Sequence, residues 1–349
     1  MELVVVPLEL ARRVTLELLA SVGFADEVAR DVADVQIEAD VRGMHSHGLR
    51  AIPMYLARTR LGIINPRPNI QVEETARTAV VVHGDAGPGQ AVARRAMGEA
   101  IERAKAHGFG IAVARNSNHL GAVGYYANMA AAVDLIGFAT TNGNVMLPPP
   151  GATAPVVGNN PLAWALPAGT EPPLVFDVAT SVVAGGKIDL AAAEGDAIPP
   201  GWGVDAEGRP TTDAQAAAAG GLAIPLGAPA APYKGFGLAL VMEALGGVLA
   251  GARFGRQHTV EVEDGPRPWD EGHFFLAFDP ELLMPIDEFK RRMDALARDV
   301  RDAGGRLPGA GGAERRARTL ADGLRLPRSV VERLQNAIER QGTPTRLTP

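Results

Sequence analysis

Two short stretches hold most of the residues able to move protons and grip anions. In "DVRGMHSHGLRAIPMY", residues 40–55, His45, Ser46, His47 and Arg50 crowd into six positions after a helical run. Two imidazoles, a hydroxyl and a guanidinium can bind an oxyanion and pass a proton, and the planar fork of arginine matches a carboxylate. The same cluster could serve only to cap a helix-to-helix turn. His45-x-His47 could also hold a metal, but that reading lacks a nearby acid partner, and no metal is expected. In "RNSNHLGAVGYYANMAAA", residues 115–132, three polar residues lead to His119 and then to an apolar helix. An imidazole there stands at a helix mouth, where backbone N–H groups point outward. A helix cap with an incidental histidine is the alternative.

Other stretches suit phosphate or ribose. "FDVATSVVAGGKID", residues 176–189, places Asp177, Thr180, Ser181 and Lys187 after a short strand, and could equally be an Asx-type turn. "PYKGFGLAL" puts Lys234 and Gly235 ahead of a helix, where the dipole disfavours a cation unless an anion neutralises it. "VVVHGDAGPGQAVARRAM" has the strand–turn–helix layout of a dinucleotide fingerprint, but its glycines run G-x-x-G-x-G. The next strand, "GIAVAR", ends in Arg115 rather than an acid. A plain strand-to-helix turn is expected, not a Rossmann site.

The elements that must position these residues follow from periodicity. Helices are expected from Pro7 to Gly23, from Asp26 to about Arg42, and over Ile52–Leu61. "TAVVVHG", "GIAVAR", "LIGFATT", "PLAWALP", "PLVFDVAT", "HTVEVE" and "HFFLAFDP" read as strands. "QAVARRAMGEAIERAKAHG" and "AVGYYANMAAAV" read as helices between them, and "GFGLALVMEALGGVLAG" as a buried helix. Residues 148–230 read as sheet with long Pro- and Gly-rich excursions. Apolar residues from Ile286 to Val300 and a stretch over Arg328–Gln341 read as terminal helices. The simplest arrangement is a helical domain from 1–75 and 285–349, with a sheet-containing domain at 76–284 inserted between.

Composition narrows the function. The chain has 349 residues, 46% hydrophobic and 21% charged, enough for one large domain or two interwoven ones. A formal net charge of -6 and a pI near 5.7 disfavour nucleic acid as a partner. With no cysteine, disulfides, zinc–thiolate sites and cysteine catalysis are excluded. Only four lysines stand against thirty arginines, and two of them, Lys187 and Lys234, lie in glycine-flanked contexts. No export signal is visible, and the longest apolar stretch carries Glu243, so a cytoplasmic protein with no membrane partner is expected.

The stretches "DVRGMHSHGLRAIPMYLARTRLGII", "RNSNHLGAVGYYANMA", "VGNNPLAWALP", "FDVATSVVAGGKI" and "PYKGFGLALVMEALGGVLAG" occur in an order that resembles the malate/L-lactate dehydrogenase-like oxidoreductases. That group includes ureidoglycolate, sulfolactate and diketogulonate dehydrogenases and cyclic-imine reductases. The resemblance covers nearly the whole chain. It implies an α/β (α+β) fold whose largely antiparallel central sheet holds NAD or NADP without a Rossmann motif. It also implies a homodimer or a multiple of one. The substrate would be a small 2-oxo or 2-hydroxy acid such as malate or lactate; a cyclic imine is the alternative, and a histidine–metal hydrolase a remoter one.

By motif position the resemblance makes Ser46 and His47 the catalytic pair and His119 the acid/base. It puts Tyr55 in the substrate pocket and gives Arg50 the carboxylate. It places Gly121, Ala122, Asp177, Val178, Ala179, Thr180, Lys234, Gly235 and the Pro308–Gly309 turn against the cofactor. An unperturbed imidazole titrates near pH 6.5, which suits His119 as proton donor, with His47 and Ser46 polarising the carbonyl. Some departures stand out. Arg50 lies one residue before the usual arginine position. "AGGAERR" after "LPG" lacks the usual leading acid, "GNNP" stands for "GTNP", and Lys187 stands where some imine reducers carry an acid.

Overall fold

The computed structural model describes residues 2–152, 154–259 and 269–347. In chain order its elements are β1 (Leu3–Val6), α1 (Leu8–Ala20), α2 (Asp26–Val41), α3 (Ile52–Arg60), β2 (Gln71–Ala76), β3 (Ala79–His83), α4 (Gly89–His107), β4 (Phe109–Ser117), α5 (Val123–Ala131), β5 (Ile136–Thr141), β6 (Leu162–Leu166) and β7 (Leu174–Val178). There follow α6 (Gly185–Glu194), β8 (Gly203–Val204), β9 (Pro210–Thr211), α7 (Ala214–Gly220), α8 (Pro232–Glu243), β10 (Glu271–Phe278), α9 (Ile286–Asp302), α10 (Ala310–Asp322), β11 (Leu324–Pro327) and α11 (Arg328–Gln341).

The central sheet has seven strands in the order β2-β3-β4-β10-β5-β6-β7. Only β3 and β4 run parallel; every other neighbouring pair is antiparallel. The α/β fold with a largely antiparallel, non-Rossmann sheet is therefore present. One sheet face carries α4 and α5 over small residues such as Ala112, Ala114, Ala139 and Ala163. Small side chains let the helices sit close: a Cβ at Gly110 would lie 2.2 Å from the Ala100 carbonyl oxygen, and one at Gly137 2.3 Å from that of Ala127. Val113, Phe138, Leu162 and Phe274 cover the other face with Met242 of α8.

A second core joins the two chain ends. Leu18, Leu19, Val32, Ile52 and Tyr55 pack with Leu324, Leu326, Val330, Leu334 and Ile338. Strand β1 pairs antiparallel with β11 and ties these ends together. Helix α9 is bonded elsewhere: Asp294 accepts from the backbone N–H groups of Gly169, Thr170 and Glu171, and Lys290 pairs with Asp134.

Three expectations change. Helix α8 is not buried: Tyr233, Val241, Val248 and Leu249 on and after it are more than half exposed. Only Gly235, Ala239, Met242 and Glu243 of α8 are buried, so a helix apolar all round has half its surface uncovered in one chain. The strand expected at 258–263 does not begin at its first residues, because Gly255–Thr259 forms a 3-10 turn; residues 260–263 lie outside the described residues. Helices α6, α7 and α10 arise where none was expected. They are Ala- and Gly-rich with little apolar periodicity, and α7 is started instead by Asp213, whose carboxylate accepts from Gln215 and Ala216. No helix among the described residues is long and apolar enough to cross a membrane.

Candidate active site

The first histidine loop hangs from one buried carboxylate. Helix α2 ends at Val41, and the 3-10 turns His45–His47 and Leu49–Ala51 lead into α3. Asp40, almost fully buried, bonds His45 Nδ1 at 2.7 Å through one oxygen and accepts from the Leu49 N–H at 2.7 Å through the other. A Cβ at Gly48 would lie 2.2 Å from that carboxylate, so this turn admits only glycine. His45 therefore has an acid partner after all, but one that fixes the loop. Among the described residues no group of three His, Cys, Asp or Glu side chains could hold a metal ion. The loop presents Ser46 Oγ 2.9 Å from His47 Nδ1. Burial, then the charges of Arg50 and Lys187, lower His47 to about 4.

The second loop explains the polar run before His119. Asn118 donates to the carbonyls of Ala86 and Gly87, inside the glycine-rich turn between β3 and α4. A Cβ at Gly89 would lie 1.9 Å from the Asn118 carbonyl oxygen. That turn thus cradles the His119 loop, which is why its glycines do not match a nucleotide fingerprint. Ser117 meets buried His273 at 2.8 Å, and His273 in turn meets Thr141 at 2.8 Å.

These two loops bring His47 and His119 together. Their ring centroids are 6.0 Å apart with planes 25° from parallel. His119 Nδ1 is 2.8 Å from the Tyr55 hydroxyl, which also meets the amides of Gln36 at 2.5 Å and Gln90 at 2.7 Å. Burial raises Tyr55 above its ordinary value, so it stays a neutral hydroxyl. Burial, then the charges of His47, Arg58 and His273, lower His119 to about 3. The ordinary value near 6.5 expected for it does not survive this environment. At neutral pH His119 is an uncharged base.

Helix α6 closes one side. A Cβ at Gly186 would come 3.1 Å from Ser46 Cβ, and Lys187 acts on His47 through its charge. Arg50, half-buried, stands 3.7 Å from Asp189 of the same helix. Lys187 thus belongs with the histidines and not with Asp177.

A cleft of about 260 Å³ has Met44, Ala122, Gly124, Asp177, Gly309 and Arg315 among its walls; Met44 and Ala122 flank the two histidine loops along the chain, but Ser46, His47, Arg50 and His119 do not line it. Of the residues expected at the cofactor, the structure gathers Ala122, Asp177 and Gly309 here, with Gly121 next to Ala122. Asp177 accepts from the Gly124 N–H at 2.8 Å, and burial raises it to about 6. Gly309 takes φ +88°, and a Cβ there would lie 2.9 Å from Val175, whose N–H donates to the Pro308 carbonyl. The remaining expected residues do not line this cleft. Thr180 is buried against Asn159, and Gly235 packs on Thr180 and Leu226, leaving Lys234 exposed; Val178 and Ala179 are half-buried beside them.

The cleft fits part of a dinucleotide. Gly309, Gly311 and Gly312 at the start of α10 leave backbone N–H groups open, and Arg315 adds charge. Its volume is below the roughly 300–1,000 Å³ of small-molecule sites, so one chain encloses only a portion of such a ligand.

Four residues escaped sequence reading: Gln36, Asp40, Gln90 and Asp189. Gln36 and Asp40 follow Val32 at four-residue steps on the buried face of α2. A polar side chain in an apolar stripe was the available signal.

The model of the malate/L-lactate dehydrogenase family matches residues 6–335. A malate dehydrogenase of Pyrococcus horikoshii is 36% identical over 291 residues, 82% of this chain and 80% of that protein. An L-sulfolactate dehydrogenase of Methanocaldococcus jannaschii is 37% identical over 295 residues, 84% of this chain and 83% of that one. The crystal structure of malate dehydrogenase from Entamoeba histolytica superposes with a TM-score of 0.93 at 28% identity, covering 98% of this chain and 99% of that one. The chain belongs to the malate/L-lactate dehydrogenase family.

Proposed function

We propose that the protein transfers hydride reversibly between NAD(P)H and C2 of a small 2-oxo or 2-hydroxy acid. The observation that carries this reading is the pairing of His47 and His119, with Ser46 and Tyr55 bonded to them and the charge of Arg50 acting on His47. Both similar relatives described above are named for dehydrogenation of such acids.

A bound nicotinamide supplies or accepts the hydride. The chain does the rest. Neutral His119 takes the proton of the C2 hydroxyl as a base during oxidation and returns it to the oxygen during reduction. His47, oriented by Ser46, donates toward the same oxygen and polarises it. Arg50 holds the substrate carboxylate in place of Asp189, which fixes the face turned to the cofactor. Gly121–Ala122, Asp177 and the turn at Pro308–Gly309 would hold the cofactor, with Val178 to Thr180 and Lys234–Gly235 available to any part of it beyond the cleft. The working form is a homodimer that covers the outer face of α8.

Purified protein, NADH or NADPH, and a panel of pyruvate, oxaloacetate, glyoxylate and a cyclic imine test this by loss of nicotinamide absorbance. Oxidation with a 2-oxo acid and one cofactor supports the reading and names the cofactor. Turnover with the imine alone moves the substrate class. Absence of both cofactor binding and turnover overturns it.

A further inference from the structure

Gln36 lies fully buried on the inner face of α2, between the two histidine loops. Its amide can be turned two ways, and hydrogen-bond chemistry selects one. With its nitrogen toward the main chain, it donates to the carbonyls of His47 and Gly48, the second at 3.2 Å. Its oxygen then accepts from Gln90 Nε2 at 3.0 Å and from the Tyr55 hydroxyl at 2.5 Å. Turned the other way, the oxygen would face only acceptors and the nitrogen only donors.

This choice propagates. A hydroxyl has one proton and two lone pairs. The Tyr55 proton goes to Gln36, and one lone pair accepts from Gln90 Nε2 at 2.7 Å. The other lone pair faces His119 Nδ1 at 2.8 Å, so that nitrogen must carry a proton to bond it. We propose that Gln36 is a positioning residue that, acting through Tyr55, holds neutral His119 in the Nδ1–H tautomer and leaves Nε2 as the atom that gains and loses the proton.

This rests on the hydride-transfer reading for its use, not for its chemistry. In oxidation the C2–H bond breaks with its electron pair passing to the nicotinamide, while the O–H proton moves to Nε2 and the C2=O bond forms. Reduction reverses each transfer. The Nδ1 proton stays on the ring and is donated to the Tyr55 oxygen throughout, so no hydroxyl needs to turn between the two protonation states. Gln36 also grips the His47 carbonyl, so one amide sets the chemistry of one histidine and the position of the other.

Histidine-15N-labelled protein without cofactor, read by long-range proton–nitrogen correlation at neutral pH, tests this. The His119 signals are those lost in His119→Asn. The expected pattern is a protonated Nδ1 and a bare Nε2. In Gln36→Met the Tyr55 hydroxyl loses its acceptor and turns to Nδ1, so the pattern inverts to Nε2–H. Tyr55→Phe frees the ring and gives the same loss of the Nδ1–H form. Gln36→Glu, protonated in this buried setting, restores the wild-type pattern. A wild-type Nε2–H tautomer overturns the proposal even if the variants do not fold, and so does a folded Gln36→Met that keeps Nδ1–H. Because the readout needs no turnover, a silent substrate panel with the expected tautomer would count against the dehydrogenase reading alone.

Discussion

His47 and His119 face each other at 6.0 Å between ring centroids, one 2.9 Å from a serine hydroxyl and the other 2.8 Å from a tyrosine hydroxyl. Two half-buried imidazoles this close are disfavoured from both being cationic. Each is depressed by burial first and then by neighbouring positive charge. A carboxylate brought in by substrate would relieve that repulsion and raise both. Binding of a 2-oxo acid analogue such as oxamate to the cofactor-loaded enzyme near pH 5 should therefore take up protons. Calorimetric titration in buffers of different ionisation enthalpy measures it; buffer-independent heats would contradict the assignment.

Buried neutral histidines also set the acid limit of stability. His119 and His273 are both lowered to about 3 by burial. A base with a depressed folded pKa stabilises the fold fully above its unfolded value near 6.5, and that contribution is lost as pH falls toward 3. At pH 5 each such histidine has given up about 2 kcal/mol relative to pH 7. Glu271 and Asp177, raised by burial to about 7 and about 6, act in the opposite sense and lose their contribution as pH rises. Thermal denaturation from pH 7 to 5 should show a steep fall that is shallower in His273→Gln. Equal slopes would mean that His273 titrates in the fold as it does in the unfolded chain.

Asp40 should matter to fold and site together. It bonds His45 and the Leu49 N–H from a buried position. Asp40→Ala strands both donors and should cost about 3 kcal/mol in denaturant titration, with turnover lost because Ser46 and His47 lose their frame. Asp40→Asn keeps one acceptor and should cost less. Full activity in Asp40→Ala would show that the loop is held by its own turns.

The sequence pattern made these loops legible in type but not in cause. Apolar periodicity located α1 to α5, α9 and α11, short apolar runs located the main strands, and the resemblance supplied the antiparallel sheet and the pairing of Ser46–His47 with His119. Asp40 and Gln36 stayed hidden because a carboxylate and an amide inside an apolar stripe look like interruptions until their partners are known. Lys187 was grouped with Asp177 by proximity along the chain, yet the turn into α6 sends it to His47. Helix α10 was missed because its opening glycines read as loop and only Thr319 of it is buried. Helix α8 was misjudged because an all-apolar surface was read as one buried within the chain, and half of it is exposed there.

Arg50 and Asp189 predict competition at the substrate carboxylate. They stand 3.7 Å apart, with the Arg50 side chain 17% and the Asp189 side chain 52% exposed. An incoming carboxylate must take the guanidinium from Asp189. Asp189→Asn should therefore lower KM for a 2-oxo acid a few-fold with kcat little changed. Arg50→Lys should raise it by about 10- to 100-fold, because a point charge loses the bidentate geometry. Steady-state kinetics separates the two. An unchanged KM in Arg50→Lys would move the carboxylate to another cation, with Lys187 the next to mutate.

The outer face of α8 predicts the oligomer. Leu240, Val241, Val248 and Leu249 are exposed together on this helix and the wide turn after it, while Glu243 on the inner side is buried with bonds to Asn142 and Asn160. A soluble monomer seldom leaves such a contiguous apolar surface open, and a second copy of the chain would cover it. The cleft that encloses only part of a dinucleotide fits the same arrangement, since a partner could complete its wall. Val241→Glu with Leu249→Lys places charge in that interface without touching the inner packing. Light scattering should then show wild-type dimer or higher and a smaller species for the double variant. Cofactor affinity should weaken in parallel if the partner contributes to the cleft. A wild-type monomer would leave α8 for another partner and sink the dimer reading.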